Sequence, residues 1–354
     1  MTLKIIKYLN HVPYLDQNIN AEKNSVIIGN SFIGSGTNLK SNVVIRGDGK
    51  KVEIGKNCIF KNRSTVHVAA EIQGTQIGNN SIIGEYSVIH ACNLGKNVII
   101  GNNCIVMDGA KIGDHVIIQN NSLVPPGKKF SSYSIVAGSP AKVVKKINKQ
   151  EFSNYSIKIT KSNNLFNNNT LDYRSYLNKK EISSNYNIQA AKNTFIAPYA
   201  EINQNIKINE NSSIWFSVNI FSSNKDGKLI LGKGSNIQDN SIIDTLGKVI
   251  FIEKRVTIGH NVIIKGKSFI KDDAVIGMGS ILESDCIVGN NSFIGANSFV
   301  KSGTIVPDNT IFAGNPAKFF RKVNEKEMLF FKKGQKIYEN LTNAYNNLIS
   351  NNFI

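Results

Sequence analysis

Aliphatic side chains recur at every sixth position over long stretches of this chain. In the second half the series is unbroken and consists of Ile258, Ile264, Ile270, Ile276, Leu282, Val288, Ile294, Val300 and Val306. In the first half the same spacing gives Ile27, Ile33, Leu39 and Ile45, and later Leu94, Ile100, Val106, Ile112, Ile118 and Val124. A period of six matches neither the 3.6-residue period of an α-helix nor the simple alternation of a half-buried strand.

This period predicts a mainly β protein built as a parallel β-helix with three flat sides. Each hexapeptide supplies one short strand whose aliphatic side chain points inward, and three hexapeptides close one coil. Glycine or asparagine often follows the aliphatic residue, as in Ile33-Gly34 and Ile112-Gly113. We expect these residues to turn the corners, because both accept positive φ at low cost. Stacked coils satisfy one another's backbone groups and bury a continuous aliphatic column.

The two halves of the chain also repeat each other. The segment AGSPAK at 137–142 returns 176 residues later as AGNPAK at 313–318, which indicates a tandem duplication of one β-helical domain. The predicted organisation is a first β-helix over 1–150, an Asn-rich linker over 151–190, a second β-helix over 191–323 and a C-terminal helical segment over 324–354. Within the linker we expect short helices near Glu151 and over Tyr173–Lys180.

Charge and composition exclude some classes of protein. The chain has 354 residues, with 42 Lys and Arg against 25 Asp and Glu, a formal net charge of +17. The lysines are scattered rather than gathered on one helix or groove, so nucleic-acid binding is disfavoured and a solvated basic surface or an acidic protein partner is favoured. No apolar run reaches the ~18 residues of a membrane-spanning helix. The four cysteines form no CxxC pair, and we expect buried thiols in a reducing compartment.

A set of motifs in the first half points to a family. Arg46-Gly47-Asp48 is followed by STVHV at 64–68, by EYSVIH at 85–90 and by GSPAK at 138–142. In order and spacing this resembles the gamma-class carbonic anhydrases, over about residues 20–150 and again about 195–330. The resemblance implies a trimer of left-handed β-helices with zinc between neighbouring helices. Each zinc would be held by two histidines of one β-helix and a third histidine of its neighbour, and would make hydroxide available for attack on CO2.

The first copy retains two of the family's three metal-ligand positions. His67 stands at the His-Val position and His90 at the last histidine position, whereas Glu85 replaces the intermediate histidine. Glu85 is either a surviving ligand, since two histidines and a glutamate are an accepted zinc set, or a surface carboxylate. By resemblance, Arg46 and Asp48 make polar contacts across the subunit interface.

The second copy shows the complementary losses. His260 keeps the intermediate position, Asp244 replaces the first histidine of the pair, and Lys265 or Gly266 replaces the other. An ammonium group has no lone pair for zinc, and glycine has no side chain. Gln238 stands where the family's glutamine orders the metal-bound water, although it could instead cap a turn.

Two ring orders are compatible with these losses. In one, the pair His67 and His90 faces His260, and the chain builds a complete three-histidine zinc site within itself. In the other, Asp244 and Lys265 face Glu85 at one inactive interface, and the three histidines await ligands from a third β-helical subunit. Both orders use the same three histidines.

These features predict a gamma-carbonic-anhydrase-like subunit of a trimeric β-helix assembly. By resemblance, that assembly belongs to a membrane protein complex, the mitochondrial respiratory complex I, and the pI of about 9.6 agrees with a mitochondrial location; a cytoplasmic location is the other reading. If the chain is active, it is a zinc-dependent carbonic anhydrase, but a structural role is at least as well supported. The alternatives are a hexapeptide-repeat acyltransferase and a metal-free scaffold.

Overall fold

The chain forms two compact units, Met1–Leu171 and Asp172–Ile354, in the computed structural model. The structure describes residues 3–70, 72–161, 186–224 and 227–350. The helix expected over Tyr173–Lys180 lies outside the described residues.

The first unit consists of short strands followed by one helix. Its strands β1 to β20, in chain order, are Lys4–Ile6, Tyr14–Leu15, Asn20–Ala21, Val26–Ile33, Asn38–Leu39, Val44–Ile54, Ile59–Phe60, Thr65–His67, Thr75–Ile77, Ile82–Ile83, Val88–His90, Asn93–Leu94, Ile99–Ile100, Ile105–Val106, Lys111–Ile112, Ile117–Ile118, Leu123–Val124, Lys129–Phe130, Ser134–Gly138 and Ala141–Lys146. The helix α1 spans Lys149–Lys161.

The second unit repeats this plan. Its strands β21 to β41 are Ile188–Ala190, Phe195–Ile196, Glu201–Asn203, Asn205–Ile208, Ser213–Ile214, Asn219–Phe221, Lys228–Leu231, Asn236–Ile237, Ile242–Asp244, Val249–Ile252, Thr257–Ile258, Ile263–Lys265, Ser268–Ile270, Val275–Ile276, Ile281–Leu282, Cys286–Val288, Phe293–Ile294, Phe299–Val300, Ile305–Val306, Thr310–Gly314 and Ala317–Lys322. The helix α2 spans Glu325–Ser350.

Successive strands belong to different sheets, and every third strand returns to the same sheet. In the second unit this gives three sheets, each built of parallel strands one coil apart, apart from the antiparallel pair β40–β41. In the first unit the long strands β4 and β6 continue around a corner and join two faces into one 12-stranded sheet. The predicted fold, a mainly β solenoid of parallel coils, is therefore confirmed.

The six-residue series forms the buried columns of the two solenoids. Ile258 pairs in register with Ile276 and Ile276 with Ile294, and all three are fully buried. Burying one isoleucine side chain contributes about 1.5–3 kcal/mol. Because each coil repeats the contact, stability accumulates along the column rather than resting on one central cluster.

The corners use glycine and asparagine for different reasons. Positive φ is held mainly by asparagines, such as Asn57 at 54° and Asn80 at 57°. Gly34, Gly84 and Gly113, by contrast, follow an aliphatic residue without positive φ, whereas Gly29 has a φ of 65°. A Cβ atom on Gly84 would lie 2.2 Å from the carbonyl oxygen of Gly101 in the next coil. The expectation that these glycines turn the corner is wrong there: they allow neighbouring coils to approach closely.

Both units end in the same way. An antiparallel hairpin, β19–β20 or β40–β41, closes the last coil and leads into a helix. Asn148 caps α1 and Asn324 caps α2; in each case the side chain accepts from the backbone N–H of a glutamate three residues on, and that glutamate's carboxylate accepts from the asparagine's N–H. These are reciprocal capping boxes, which satisfy two backbone donors at each helix start.

The helix α2 packs back over the earlier coils of its own unit. Tyr345 lies 5.1 Å from Phe195 and 5.2 Å from Trp215 between ring centroids, and Tyr338 lies 5.3 Å from Trp215. Among the described helices, α1 and α2, neither is long and apolar enough to cross a membrane. The four cysteines are buried and unbridged, as predicted. Burial raises the pKa of the Cys58 and Cys286 thiols to about 11, so they stay protonated.

Candidate metal centre

Two histidines of the first unit lie side by side on neighbouring coils. His67 ends β8, His90 ends β11, and the two residues are direct partners in the parallel register. Their ring centroids are 5.2 Å apart, with the ring planes at 64°. Both side chains are buried. The structure thus brings together the pair that the motifs single out.

A buried ion pair supports His67. Asp48 Oδ1 lies 3.0 Å from His67 Nε2, while Asp48 Oδ2 accepts hydrogen bonds from Nε and Nη2 of Arg46 at 3.0 and 2.8 Å. Arg46 is fully buried, and its two-pronged contact neutralises the carboxylate. Burial, with the charge of Asp48, raises the pKa of Tyr8 to about 12. Arg46, Asp48 and His67 therefore form one connected polar group inside the first unit.

A second carboxylate supports His90. Asp108 Oδ1 lies 2.5 Å from His90 Nδ1. Burial raises the pKa of the Asp108 carboxyl, but the hydrogen bond from His90 and the charge of that ring outweigh burial and leave the pKa below its ordinary value. Asp108 is consequently an anion at neutral pH. A carboxylate that accepts a hydrogen bond from one nitrogen of an imidazole fixes the tautomer of the ring. It also makes the other nitrogen a stronger metal ligand.

Glu85 lies on the corner five residues before His90 in the sequence. Its Oε1 accepts a hydrogen bond from Nδ2 of Asn62 at 3.1 Å, and its backbone N–H donates to Asn102. The side chain is half-buried. Through these two contacts Glu85 links the coil before it to the coil after it at this corner.

The second unit places different residues at the positions of the histidine pair. Asp244 and Lys265 are register partners at the ends of β29 and β32, so Lys265, not Gly266, stands where the first unit has His90. The Asp244 carboxylate accepts from the backbone N–H groups of Ser223 and Leu246 at 2.9 and 3.0 Å, and from the Ser223 hydroxyl. Lys265 Nζ lies 3.6 Å from a carboxylate oxygen of Glu283. This pair is thus engaged in local structure.

His260 is the buried histidine of the second unit. It follows β31 on a corner, and its Nδ1 lies 3.1 Å from Oδ2 of Asp239. Asp239 is also fully buried and accepts from the backbone N–H of Phe216. On the other side of the ring, Tyr338 of α2 places its hydroxyl oxygen 3.5 Å from His260 Nε2. His260 therefore repeats the carboxylate–imidazole arrangement of His67 and His90.

Gln238 is buried one residue before Asp239. Its Nε2 donates to Oδ1 of Asn236 at 3.3 Å. Among the residues that the structure describes, its Oε1 has no hydrogen-bond partner although the side chain is only 4% exposed. A buried amide oxygen without a donor is costly, and such an atom normally has a water or ligand as its partner. Gln238 therefore has unused capacity to accept a hydrogen bond.

Sequence reasoning did not identify every residue of these groups. It did not single out Asp108, Tyr8 or Tyr338. Asp108 lies 18 residues after His90, which is one coil further on. A carboxylate placed one coil away from a candidate ligand was the sequence signal that could have identified it. Tyr338 belongs to a helix whose docking position a repeat pattern does not encode.

Family models match the repeat in both units. The description "Bacterial transferase hexapeptide (six repeats)" fits residues 91–126 and 267–302, and "Hexapeptide repeat of succinyl-transferase" fits residues 249–284. Both describe the coil rather than a reaction.

Curated relatives match part of the chain. Gamma carbonic anhydrase 3, mitochondrial, of Arabidopsis thaliana is 45% identical over 161 residues, 44% of this chain and 61% of that protein. The chain is similar to the gamma-class carbonic anhydrases over this segment. Gamma carbonic anhydrase 2, mitochondrial, of the same plant is 33% identical over 161 residues, 44% of this chain and 57% of that protein. The chain therefore spans about three fifths of the length of these gamma-class relatives.

Solved structures extend the likeness at the level of fold. A protein of Desulfovibrio desulfuricans G20 assigned as an acetyltransferase is 14% identical, with 98% of this chain and 82% of that chain covered and a TM-score of 0.51. At this identity the likeness shows the β-helical fold alone. The chain thus shares its coil with that protein, while its sequence similarity is to the gamma carbonic anhydrases.

Proposed function

We propose that this chain is a zinc-holding, gamma-carbonic-anhydrase-like subunit of a trimeric β-helix assembly. His67 and His90 supply two ligands of one site. His260 supplies an imidazole at the intermediate histidine position of the family motif. One observation carries the proposal: each of the three histidines is buried and has its own carboxylate, Asp48, Asp108 or Asp239, within 2.5–3.1 Å of a ring nitrogen. Neutral imidazoles with such partners are suited to zinc.

The chain's own residues prepare these rings. Zinc on three neutral imidazoles retains a coordination position for water and lowers the pKa of that water to about 7, which is the chemistry of CO2 hydration. Arg46 is paired with Asp48, whose other oxygen faces His67, and Asp108 faces His90. Gln238, whose buried Oε1 can accept a hydrogen bond, is the residue we assign to a water or hydroxide ligand. Glu85, held by Asn62, remains a secondary candidate ligand.

Zinc content of the native assembly tests this function. The wild-type chain should retain about one zinc ion per complete site after dialysis against a weak chelator, and His67→Ala/His260→Ala should lose it. His11→Ala is the matched control, because His11 is exposed and lies outside the motifs. Zinc-free wild type with an intact assembly would leave a β-helical scaffold and contradict the proposal. Tight binding of coenzyme A by that zinc-free protein would favour the acyltransferase alternative.

The source of the third ligand can be determined by mixing variants. If all three histidines of a site come from one chain, an equimolar mixture of His67→Ala and His260→Ala chains stays without zinc. If a second copy of this chain completes the site, reassembly of the mixture restores part of the zinc; if a separate third subunit completes it, each single variant loses only the zinc of its own site and mixing restores none. The proposed third member of the ring is a gamma-carbonic-anhydrase-like β-helix, because Lys265 has no lone pair for a metal and the Asp244 oxygens already accept hydrogen bonds from Ser223 and Leu246.

We also propose a mitochondrial location and membership of respiratory complex I. The location is supported by the Arabidopsis relatives, which are mitochondrial by name. Complex I membership rests on the family resemblance and on the fusion of two unlike units in one chain. The first unit has the histidine pair, and the second has Asp244 and Lys265 at the equivalent positions. Native electrophoresis of solubilised mitochondrial membranes tests both: the chain should comigrate with complex I subunits. A stable homo-oligomer free of other subunits would contradict this placement.

A further inference from the structure

Four large apolar side chains are exposed at the C-terminal end of the second unit's solenoid. Phe319 and Phe320 lie on β41 and are 58% and 66% exposed, while Leu329 and Phe330 lie in the first turns of α2 and are 68% and 64% exposed. Exposed cationic side chains lie among them: Lys318, Arg321, Lys322, Lys326, Lys332 and Lys333. We call these ten residues the aromatic–basic patch.

Specific contacts fix the strand and the helix start that carry the patch. Arg321 on β41 makes a two-pronged ion pair with Glu327 of α2 and stacks on Phe320 at 5.6 Å. Phe330 lies 6.3 Å from Phe331, which packs 5.0 Å from Phe293 on the sheet. The strand and the helix start are therefore fixed beside each other.

The first unit supplies an internal comparison. Its hairpin and helix repeat the same scaffold, with Lys145 paired to Glu151 as Arg321 is paired to Glu327. At the positions of Phe319, Phe320, Leu329 and Phe330, however, the first unit has Val143, Val144, Ser153 and Asn154. The scaffold thus folds with the smaller valines on its hairpin and with polar residues on its helix, so it does not require phenylalanine or leucine at these positions.

The charge of the patch selects an acidic occupant. Against the six cations, the segment 318–333 contains the two acids Glu325 and Glu327, and Glu327 is already paired with Arg321. A surface that combines exposed phenylalanine and leucine with excess lysine and arginine matches the headgroup region of an anionic bilayer, where apolar groups insert and cations meet phosphate. Protein interface cores, by contrast, are depleted in lysine.

From this arrangement we infer that the aromatic–basic patch binds the surface of a membrane containing anionic lipid. The inference does not depend on zinc or on catalysis. The test uses the full chain and vesicles of phosphatidylcholine mixed equally with phosphatidylserine. Wild type should sediment with these vesicles, release as salt rises from about 0.1 M to about 1 M, and bind pure phosphatidylcholine vesicles far more weakly.

Two variants separate the patch from general basicity. Phe319→Val/Phe320→Val/Leu329→Ser/Phe330→Asn transplants the first unit's residues and should weaken vesicle binding by about tenfold or more. Lys318→Gln/Lys332→Gln/Lys333→Gln changes only exposed side chains and should reduce binding and its salt dependence together. Val143→Ser/Val144→Ser, in the first unit, should bind as wild type does. Unchanged melting temperatures show that the variants are folded.

Two results would overturn the inference. One is wild type that stays in solution with anionic vesicles, the outcome expected if the patch instead contacts a protein subunit. The other is vesicle binding that survives both the apolar and the lysine variants, which would assign it to the scattered charge of the whole chain.

Discussion

Equivalent positions of the coil carry opposite chemistry in the two units. In the first unit His67 and His90 face each other as rings, each with a carboxylate placed against one nitrogen. In the second unit Asp244 and Lys265 occupy the same register, and the Asp244 oxygens bind the N–H groups of Ser223 and Leu246. The comparison shows that the same coil can present either a histidine pair or a structural cap.

The surroundings have changed along with the pair. Where the first unit has Arg46 and Asp48, the register of the second unit places Phe221 and Ser223. The hydrogen bond direction is reversed: Asp48 faces a histidine, whereas Ser223 donates to Asp244. The first unit therefore has a buried charge network at this position, where the second unit has two neutral residues and one hydrogen-bonded carboxylate.

The buried ion pair gives the largest expected effect. Arg46→Ala leaves the Asp48 charge buried and unneutralised and should lower the free energy of unfolding of the first unit by about 3–5 kcal/mol. Arg46→Phe/Asp48→Ser, which introduces the second unit's residues, should cost less than ~2 kcal/mol. Denaturant titration measures both. A double variant as unstable as Arg46→Ala would show that the two units are not interchangeable here.

The cap of the second unit comes next. Asp244→Ala removes the acceptor for two backbone N–H groups and a hydroxyl, and should lower the free energy of unfolding by about 2–3 kcal/mol without changing zinc content. Lys265→Ala, which loses only a partly exposed ion pair, should cost under ~1 kcal/mol. Loss of zinc from Asp244→Ala would mean that this carboxylate is a ligand after all.

A smaller effect is expected where a carboxylate orients a ligand. Asp108→Asn keeps the shape of the side chain but weakens its hold on His90, and should reduce zinc affinity by about 10–100-fold, measured by competition with a chelator. Asp114→Asn is the control, since Asp114 accepts from the backbone of Lys96 rather than from a histidine. Equal zinc affinity in the two variants would remove Asp108 from the metal centre.

The smallest effect concerns a feature that the units share. The hydrogen bond from Arg321 holds the pKa of Glu327 below its ordinary value, and Lys145 does the same for Glu151. A lowered carboxyl pKa stabilises the fold fully above the unfolded value of about 4.5, and this stabilisation is lost as pH falls through the folded pKa. Glu151→Gln/Glu327→Gln should therefore flatten the acid limb of the melting-temperature profile. An unchanged acid limb would show that the caps contribute nothing through charge.

The six-residue period was sufficient to predict the fold, because each inward aliphatic residue is specified locally and the next coil repeats it. The histidine pair was predictable from the family resemblance of its motifs, and the structure shows that His67 and His90 each end a strand of the same face. The role of the corner glycines was not predictable in this way, because close approach between coils depends on the next coil and not on local φ.

The supporting residues were the least predictable part of the site. Asp108 reaches His90 from another coil, and Tyr338 reaches His260 from a helix about 80 residues away in sequence. Such contacts depend on how separate segments stack, which no single motif records. The choice between Lys265 and Gly266 likewise required the strand register, because an extra residue in the preceding turn obscures the count.

Zinc-edge X-ray absorption of the native assembly tests most directly whether the metal-binding pair belongs to the first unit. We expect a first coordination shell of imidazole nitrogen that is lost in His90→Ala and unchanged in Asp244→Ala/Lys265→Ala. A zinc shell that survives His90→Ala, or one that disappears with the second unit's pair, would contradict this expectation.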